Sequence, residues 1–256
     1  MKKRILLGLL LFSSCGLWAQ FDNSSESFNI PNFYNNSSET DIISSGSHGL
    51  YDMNGDGILD LVDAQENGSS SVWGYTGSQR YWKVYLGDGT GFSSTSIDWN
   101  IPNFYNNSGD LDVISGSAHG LVDMNGDGKL DLVDCQENGT SSVWGYTGTQ
   151  RYWKVYLNEG TGFSSTALTW NIPNFYNNSG DTDALGSGGH ALMDMNDDGF
   201  IDLVDSQENG SSSVWGYTGS QRYWKVYLGD GSGFASSSID WNIPNFYNNS
   251  GDLDAI

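Results

Sequence analysis

The chain has 256 residues, with 31 Asp and Glu against 10 Lys and Arg, and a formal net charge of −21. So acidic a surface argues against nucleic acid and anionic membranes as partners. An aromatic content of 14% and 34 glycines separate it from acidic disordered chains and point to an ordered, turn-rich β protein.

In chain order, residues 1–20 read as a targeting segment and stand apart from the fold. MKKR is a basic start, ILLGLLLF a short apolar core, and LWAQ a cleavage end with Ala19 at the −1 position. The apolar run is too short to span a bilayer. The mature chain is therefore expected outside the cell or at its surface, exported by a bacterium. Lipoprotein anchoring through Cys15 is the alternative, although FSSC places Phe12 where a lipobox usually has Leu. Cleavage would bring the net charge to −24 and leave Cys135 as the one cysteine, so no intramolecular disulfide can form. Bound metal is the obvious remaining staple for an exported chain.

Residues 21–28 form a linker, after which the sequence repeats. Asn29, Asn100, Asn171 and Asn242 each open the phrase NIPNFYNNS, which holds all four prolines. Full units of 71 residues run over 29–99, 100–170 and 171–241, and a truncated fourth covers 242–256. Repeat units bury their faces against neighbours and usually end in an atypical cap. A chain that stops inside a typical unit is expected to be the N-terminal piece of something longer.

Within the first unit, His48 to Met53, Leu59 to Gln65, Arg80 to Leu86 and Phe92 to Trp99 are strand-like. Asn-Gly, Asp-Gly and Gly-rich turns separate them. No window has a helical period of apolar residues. RYWKVYL carries Trp82, Val84 and Leu86 on one face and Tyr81 and Tyr85 on the other, as in a sheet packed on both sides. Four antiparallel strands per unit, stacked sheet on sheet, predict an all-β fold of β-propeller-type blades, here an incomplete propeller. The polar segment from Asn32 to Ser47 has room for a further hairpin.

Each unit holds one acidic loop: DMNGDGILDLVD from Asp52, DMNGDGKLDLVD from Asp123 and DMNDDGFIDLVD from Asp194. Oxygen side chains at positions 1, 3, 5 and 9, with the position-7 carbonyl, suit a hard cation such as Ca2+, about one per repeat. Gly57, Gly128 and Gly199 at position 6 permit the sharp turn that returns later ligands to the ion.

The pattern D-x-N-G-D-G-x-x-D-L-V, followed by W-K-V-Y-L-G-D-G-x-G-F, resembles the FG-GAP and VCBS-type repeats. That resemblance implies blades of an integrin-α-like propeller with calcium held between two blade strands. Its implied ligands are Asp52, Asn54, Asp56, the Ile58 carbonyl and Asp60 in the first loop. The second has Asp123, Asn125, Asp127, the Lys129 carbonyl and Asp131; the third has Asp194, Asn196, Asp198, the Phe200 carbonyl and Asp202. Asp197 replaces Gly in the third loop and removes no ligand. Strands such as YWKVYLNEGTGF also resemble those of large secreted RHS-repeat and toxin-complex B proteins.

Other constellations have plainer readings. Asp63, Asp134 and Asp205 fall at loop position 12, as in EF-hands and dockerins, but LDLVDAQENG makes a poor exit helix. His48, His119 and His190 lack partners for a zinc site and are expected to hydrogen-bond within the blade. Glu66, Glu137 and Glu208 are turn residues rather than glycosidase carboxylates. No serine-hydrolase elbow, phosphate loop or dinucleotide fingerprint is present, and three equivalent units argue against a catalytic centre. The phrase VWGYTGSQRYW, with Trp73, Trp144 and Trp215, is the candidate recognition surface, against a plainer reading as packing between blades. The expected function is a non-catalytic, calcium-binding scaffold or binding module for a protein or glycan. A lectin-like propeller and a shell segment of a toxin- or adhesin-like protein are the alternatives.

Overall fold

A computed structural model describes residues 27–31, 47–66, 71–102, 114, 118–137, 142–173, 185, 189–208 and 214–244. The targeting segment, Cys15, most of the 21–28 linker, the expected hairpin after Asn32 and residues 245–256 lie outside these. Among the described residues no helix is long and apolar enough to cross a membrane.

The architecture is all-β, in three four-stranded antiparallel sheets. The first holds β1 (His48–Tyr51), β2 (Asp60–Asp63), β3 (Arg80–Tyr85) and β4 (Ile97–Ile101), in that order. The second repeats it with β5 (His119–Val122), β6 (Asp131–Asp134), β7 (Arg151–Tyr156) and β8 (Leu168–Ile172). The third has β9 (His190–Met193), β10 (Asp202–Asp205), β11 (Arg222–Tyr227) and β12 (Ile239–Ile243). Each sheet is a simple meander, the blade expected from the turn chemistry.

The last strand of each blade departs from the expected range. Phe92 does not open a strand; it forms a lone bridge to Gly87 at the tip of the hairpin after β3. A serine turn then intervenes, because Ser93 Oγ accepts the Thr95 N–H at 3.2 Å and donates to the Thr95 carbonyl at 2.9 Å. Pairing resumes only at Ile97 and runs on to Ile101, with Trp82 opposite Trp99 and Arg80 opposite Ile101. Structural blades and sequence units are therefore out of phase: Asn100 and Ile101 open the second unit yet finish the first blade.

That offset ties neighbours together. The Asn100 carbonyl accepts the Phe163 N–H at 2.8 Å, so the end of one blade is stitched to the hairpin of the next. Side chains close the same seam. Phe163 stands edge-on to Trp82 and Trp99, with ring centroids at 5.8 and 6.3 Å, inside a core that also holds Met53, Leu132 and Tyr156. Phe234 fills the second seam in the same way, against Trp153 and Trp170 at 6.0 and 6.1 Å. T-shaped pairs at these separations add to the apolar area each ring buries. Asn158 replaces the Gly found at 87 and 229, and its amide donates across the first seam to the Met53 carbonyl at 2.8 Å. Cys135 is buried in the second core.

Candidate metal centre

Each acidic loop leaves a first strand at position 1 and enters a second strand at position 9. In the first loop Asp52 Oδ1 accepts the N–H groups of Gly55 and Asp56 at 2.8 and 3.0 Å. Its Oδ2 accepts that of Gly57 at 2.8 Å. Asn54 Oδ1 takes the Asp56 N–H at 2.9 Å and Asp56 Oδ1 takes the Ile58 N–H at 2.8 Å. The local reason is the short Asx side chain, which can fold back onto the backbone two to five residues ahead. Loops two and three repeat the set from Asp123, Asn125 and Asp127 and from Asp194, Asn196 and Asp198. Three copies of the sequence thus reach one backbone conformation.

Position 9 behaves differently. Asp60, Asp131 and Asp202 are fully buried. Asp60 accepts the Met53 N–H through Oδ2 and the Gly87 N–H through Oδ1, both at 2.9 Å. Asp131 does the same with Met124 at 3.1 Å and Asn158 at 2.9 Å, and Asp202 with Met195 at 2.9 Å and Gly229 at 2.8 Å. This carboxylate clamps the loop to the hairpin after the third strand of its own blade, and in the second and third blades that hairpin plugs the preceding blade. Each oxygen retains a second lone-pair direction, so the clamp leaves room for a cation contact.

Charge in the first two loops is poorly offset. Burial raises the Asp60 carboxyl above its ordinary range, and the carboxylates of Asp56 and Asp52 push it the same way. For Asp131 burial, with Asp127 and Asp123, outweighs two backbone hydrogen bonds and lifts the pKa to about 6. At Asp194 the N–H groups of Gly199, Asp197 and Asp198 hold the carboxyl below its ordinary value. Lys129 offers a nearby cation in the second loop, its Nζ 3.4 Å from Asp127 Oδ2. Such an exposed pair contributes little. Among the described residues no three carboxylate, imidazole or thiol groups converge on a point that would hold an ion by themselves. Each loop instead offers two exposed or half-buried carboxylates, an amide oxygen, a carbonyl and one buried carboxylate. That hard-oxygen set, with mutually repelling charge at its base in two of the loops, fits a calcium ion in its donor chemistry.

The clamp makes a prediction that separates the two kinds of Asp. Asp131→Ala is expected to lower stability by about 2–5 kcal/mol even without metal, since two backbone N–H groups lose their acceptor. Asp127→Ala is expected to leave metal-free stability nearly unchanged. Urea unfolding in calcium-free buffer reads both, and equal losses would show that position 9 is no clamp.

The three loops lie side by side. A side chain at Gly55 would meet the Gly128 carbonyl at 3.3 Å, and one at Gly126 would meet the Gly199 carbonyl at 2.9 Å. In the third loop this position is Asp197, at φ 61°, which is the one positive-φ residue besides glycine among those described.

The remaining sequence candidates resolve as structure. β2, β6 and β10 leave the loops as strands, which removes the EF-hand and dockerin geometries. His48 is buried between Ser47 and Asp63, its Nε2 3.6 Å from Asp63 Oδ1. The aromatic phrase divides: its second Trp, Trp82 or Trp153, packs between blades, whereas Trp73, Trp144 and Trp215 make contacts within their own blades. Trp73 donates its indole N–H to Asp63 at 3.3 Å, stacks on Tyr81 at 6.3 Å and lies under Lys83 Nζ at 4.5 Å. Trp144 and Trp215 repeat this with Asp134, Tyr152 and Lys154, and with Asp205, Tyr223 and Lys225. Each indole thus meets a Tyr ring and a Lys ammonium of its own blade. Sequence reasoning missed the clamp, these indole contacts and Asn158. The alternation of Tyr81, Lys83 and Tyr85 along one strand face was the available signal for the indole contacts.

No protein-family model and no curated protein matches the chain. Among solved structures it is similar to the Photorhabdus luminescens Tc holotoxin pore at 15% identity and a TM-score of 0.44. It is also similar to an Agrocybe aegerita lectin, solved for recognition of non-reducing terminal N-acetylglucosamine, at 16% identity and a TM-score of 0.33. Each match covers 79% of this chain; the chain spans 7% of the toxin chain and 39% of the lectin chain. Likenesses of this size carry no argument about ligand or partner.

Proposed function

We propose that the chain is an exported, calcium-stabilised repeat module of the FG-GAP or VCBS type, serving as a scaffold or binding domain without catalysis of its own. The observation that carries this reading is the triple recurrence of one oxygen-lined loop, identical in backbone hydrogen bonding and set side by side along the blades. Calcium in each loop would offset the carboxylate repulsion at Asp60 and Asp131 and tie adjacent strands of a blade together. Export rests on the basic and apolar start of the sequence. A stack of near-identical blades suits a scaffold, since it repeats one surface rather than converging different groups on one point.

The lectin alternative needs accessible indole faces at Trp73, Trp144 and Trp215, and each of these rings already meets a Tyr and a Lys of the same blade. Titration calorimetry tests the calcium reading directly. About three ions per chain are expected, with affinities in the micromolar range seen for such loops. Asp127→Ala is expected to remove about one. No heat and no bound ion at about millimolar calcium would end the proposal.

A further inference from the structure

The three loops share a backbone but not a charge. The first carries Asp52, Asp56 and Asp60, and the third adds Asp197 to Asp194, Asp198 and Asp202. The second carries Asp123, Asp127 and Asp131 together with Lys129 at position 7, where its sisters have Ile58 and Phe200. Position 7 offers a cation only its carbonyl, so the side chain there can vary without removing a donor.

The lysine side chain lies on a candidate ligand. Asp127 Oδ1 accepts the Lys129 N–H at 2.9 Å, and Lys129 Nζ stands 3.4 Å from the other oxygen, Oδ2. In the first and third loops the same oxygen accepts a neutral amide instead, from Asn54 at 2.9 Å or Asn196 at 2.8 Å. The stem of the lysine is set by the neighbouring loop. A Cβ on Gly55 would stand 3.0 Å from Lys129 Cγ and 3.8 Å from Cδ, so the side chain runs between two acidic loops before reaching Asp127. Phe200 takes the corresponding place, its ring 3.0 Å from a Cβ on Gly126, and brings no charge.

We propose that Lys129 is a tethered counter-cation that competes with calcium for Asp127 and makes the second loop the weakest and last filled of the three. The proposal rests on the calcium reading of the loops and adds a rank order to it. Calcium enters the second loop by displacing the ammonium from Asp127 Oδ2, and it then shares the loop with a positive charge. While the loop is empty the same ammonium offsets carboxylate repulsion, which reduces what an ion gains by entering. The pair adds little to stability, but a divalent ion feels the lysine with twice the strength of a single charge. A unit charge within about 6 Å of a divalent ion in a screened, water-like medium changes its affinity about three- to tenfold. By the same count Asp197 makes the third loop the most acidic. Falling external calcium therefore empties the middle loop first.

Calcium titration calorimetry at about pH 7.5 tests the rank order in full-length chains that keep one loop intact. Asp56→Ala with Asp198→Ala leaves the second loop, and in that chain Lys129→Ile is expected to raise calcium affinity about three- to tenfold. Ile is the residue of the first loop at this position, so the backbone accommodates it. Lys129→Arg keeps the charge and is expected to bind as the lysine does. The reciprocal change, Ile58→Lys in a chain with Asp127→Ala and Asp198→Ala, is expected to weaken the first loop by a similar factor. Raising salt from about 0.05 to about 0.3 M is expected to weaken the Lys129→Ile loop more than the lysine-bearing one, which has less net charge to screen. Near-UV circular dichroism checks folding. In the otherwise wild-type chain Lys129→Ile is expected to abolish the weakest of the three binding steps, a readout independent of the Ala backgrounds. Three ions bound with unchanged affinity in Lys129→Ile would overturn the rank order and leave the calcium reading standing. A rise in Lys129→Arg as large as in Lys129→Ile would show that packing, not charge, is at work and overturn it equally. A wild-type chain that binds no calcium would end both.

Discussion

Phe163→Ala is expected to cost about 3 kcal/mol of stability, and Phe234→Ala a similar amount. Phe163 is 5% exposed and sits between two tryptophans of the neighbouring blade. Truncation of a buried Phe removes its transfer free energy, leaves a cavity, and here dissolves two aromatic pairs worth about 0.5–1.5 kcal/mol each. One feature sets the cost at the lower end of the usual range. The indole N–H of Trp99 is buried with no hydrogen-bond partner among the described residues, and Trp170 repeats this in the second seam. Water admitted by the truncation can satisfy that group and recover part of the loss. Phe92→Ala is the internal control, since that ring is partly exposed in the first blade, and about 1 kcal/mol or less is expected from it. Urea midpoints for the three variants give the comparison. If Phe163→Ala costs no more than Phe92→Ala, the seams do not hold the blades together.

What could be read from the sequence follows the range of the interactions involved. Position 1, 3 and 5 oxygens lie within five residues of one another, and their spacing alone announces the loop that Asp52, Asn54 and Asp56 form. The blade strands were equally legible, because Asn-Gly and Asp-Gly turns bracket runs that cannot pack as helices. The misplaced strand came from Phe92, which looks like a strand opener until its bridge to Gly87 and the serine turn after it are known. Position 9 was read as a ligand because it falls at ligand spacing. Its second role depends on the Gly87 N–H, which is 27 residues away. Asn158 reaches the Met53 carbonyl across 105 residues, and its one trace in the sequence is a single Asn where sister hairpins have Gly. Trp73 was ambiguous for a related reason: whether an indole faces solvent or its own strand depends on Tyr81 and Lys83 crossing behind it. Periodic and local features were readable; roles set by a partner far along the chain were not.

Removing calcium is expected to lower the melting temperature by about 5–10 °C for each loop emptied. At about millimolar external calcium and a Kd of roughly 10 µM, each occupied site adds about 2.7 kcal/mol. In a chain of this size, 1 kcal/mol corresponds to about 2–4 °C. The effect has a pH signature at the second loop. The Asp131 carboxyl titrates at about 6 in the metal-free fold, above the ordinary value of 3.8, because it is buried near Asp127 and Asp123. The metal-free fold therefore binds a proton more tightly than the unfolded chain does, and this group stabilises it as pH falls from 7 through 6. Calcium needs the ionised form, so its contribution at this loop shrinks over the same interval. The gap between melting curves with and without calcium is thus expected to narrow from pH 7 to pH 5. Asp131→Asn carries no ionisable group there and is expected to flatten the pH dependence of the gap. Scanning calorimetry at several pH values in calcium-free and calcium-containing buffer makes the measurement. Coincident melting points at pH 7 would remove calcium from the account of this fold, whereas a gap that stays constant down to pH 5 would remove Asp131 from its ligand set.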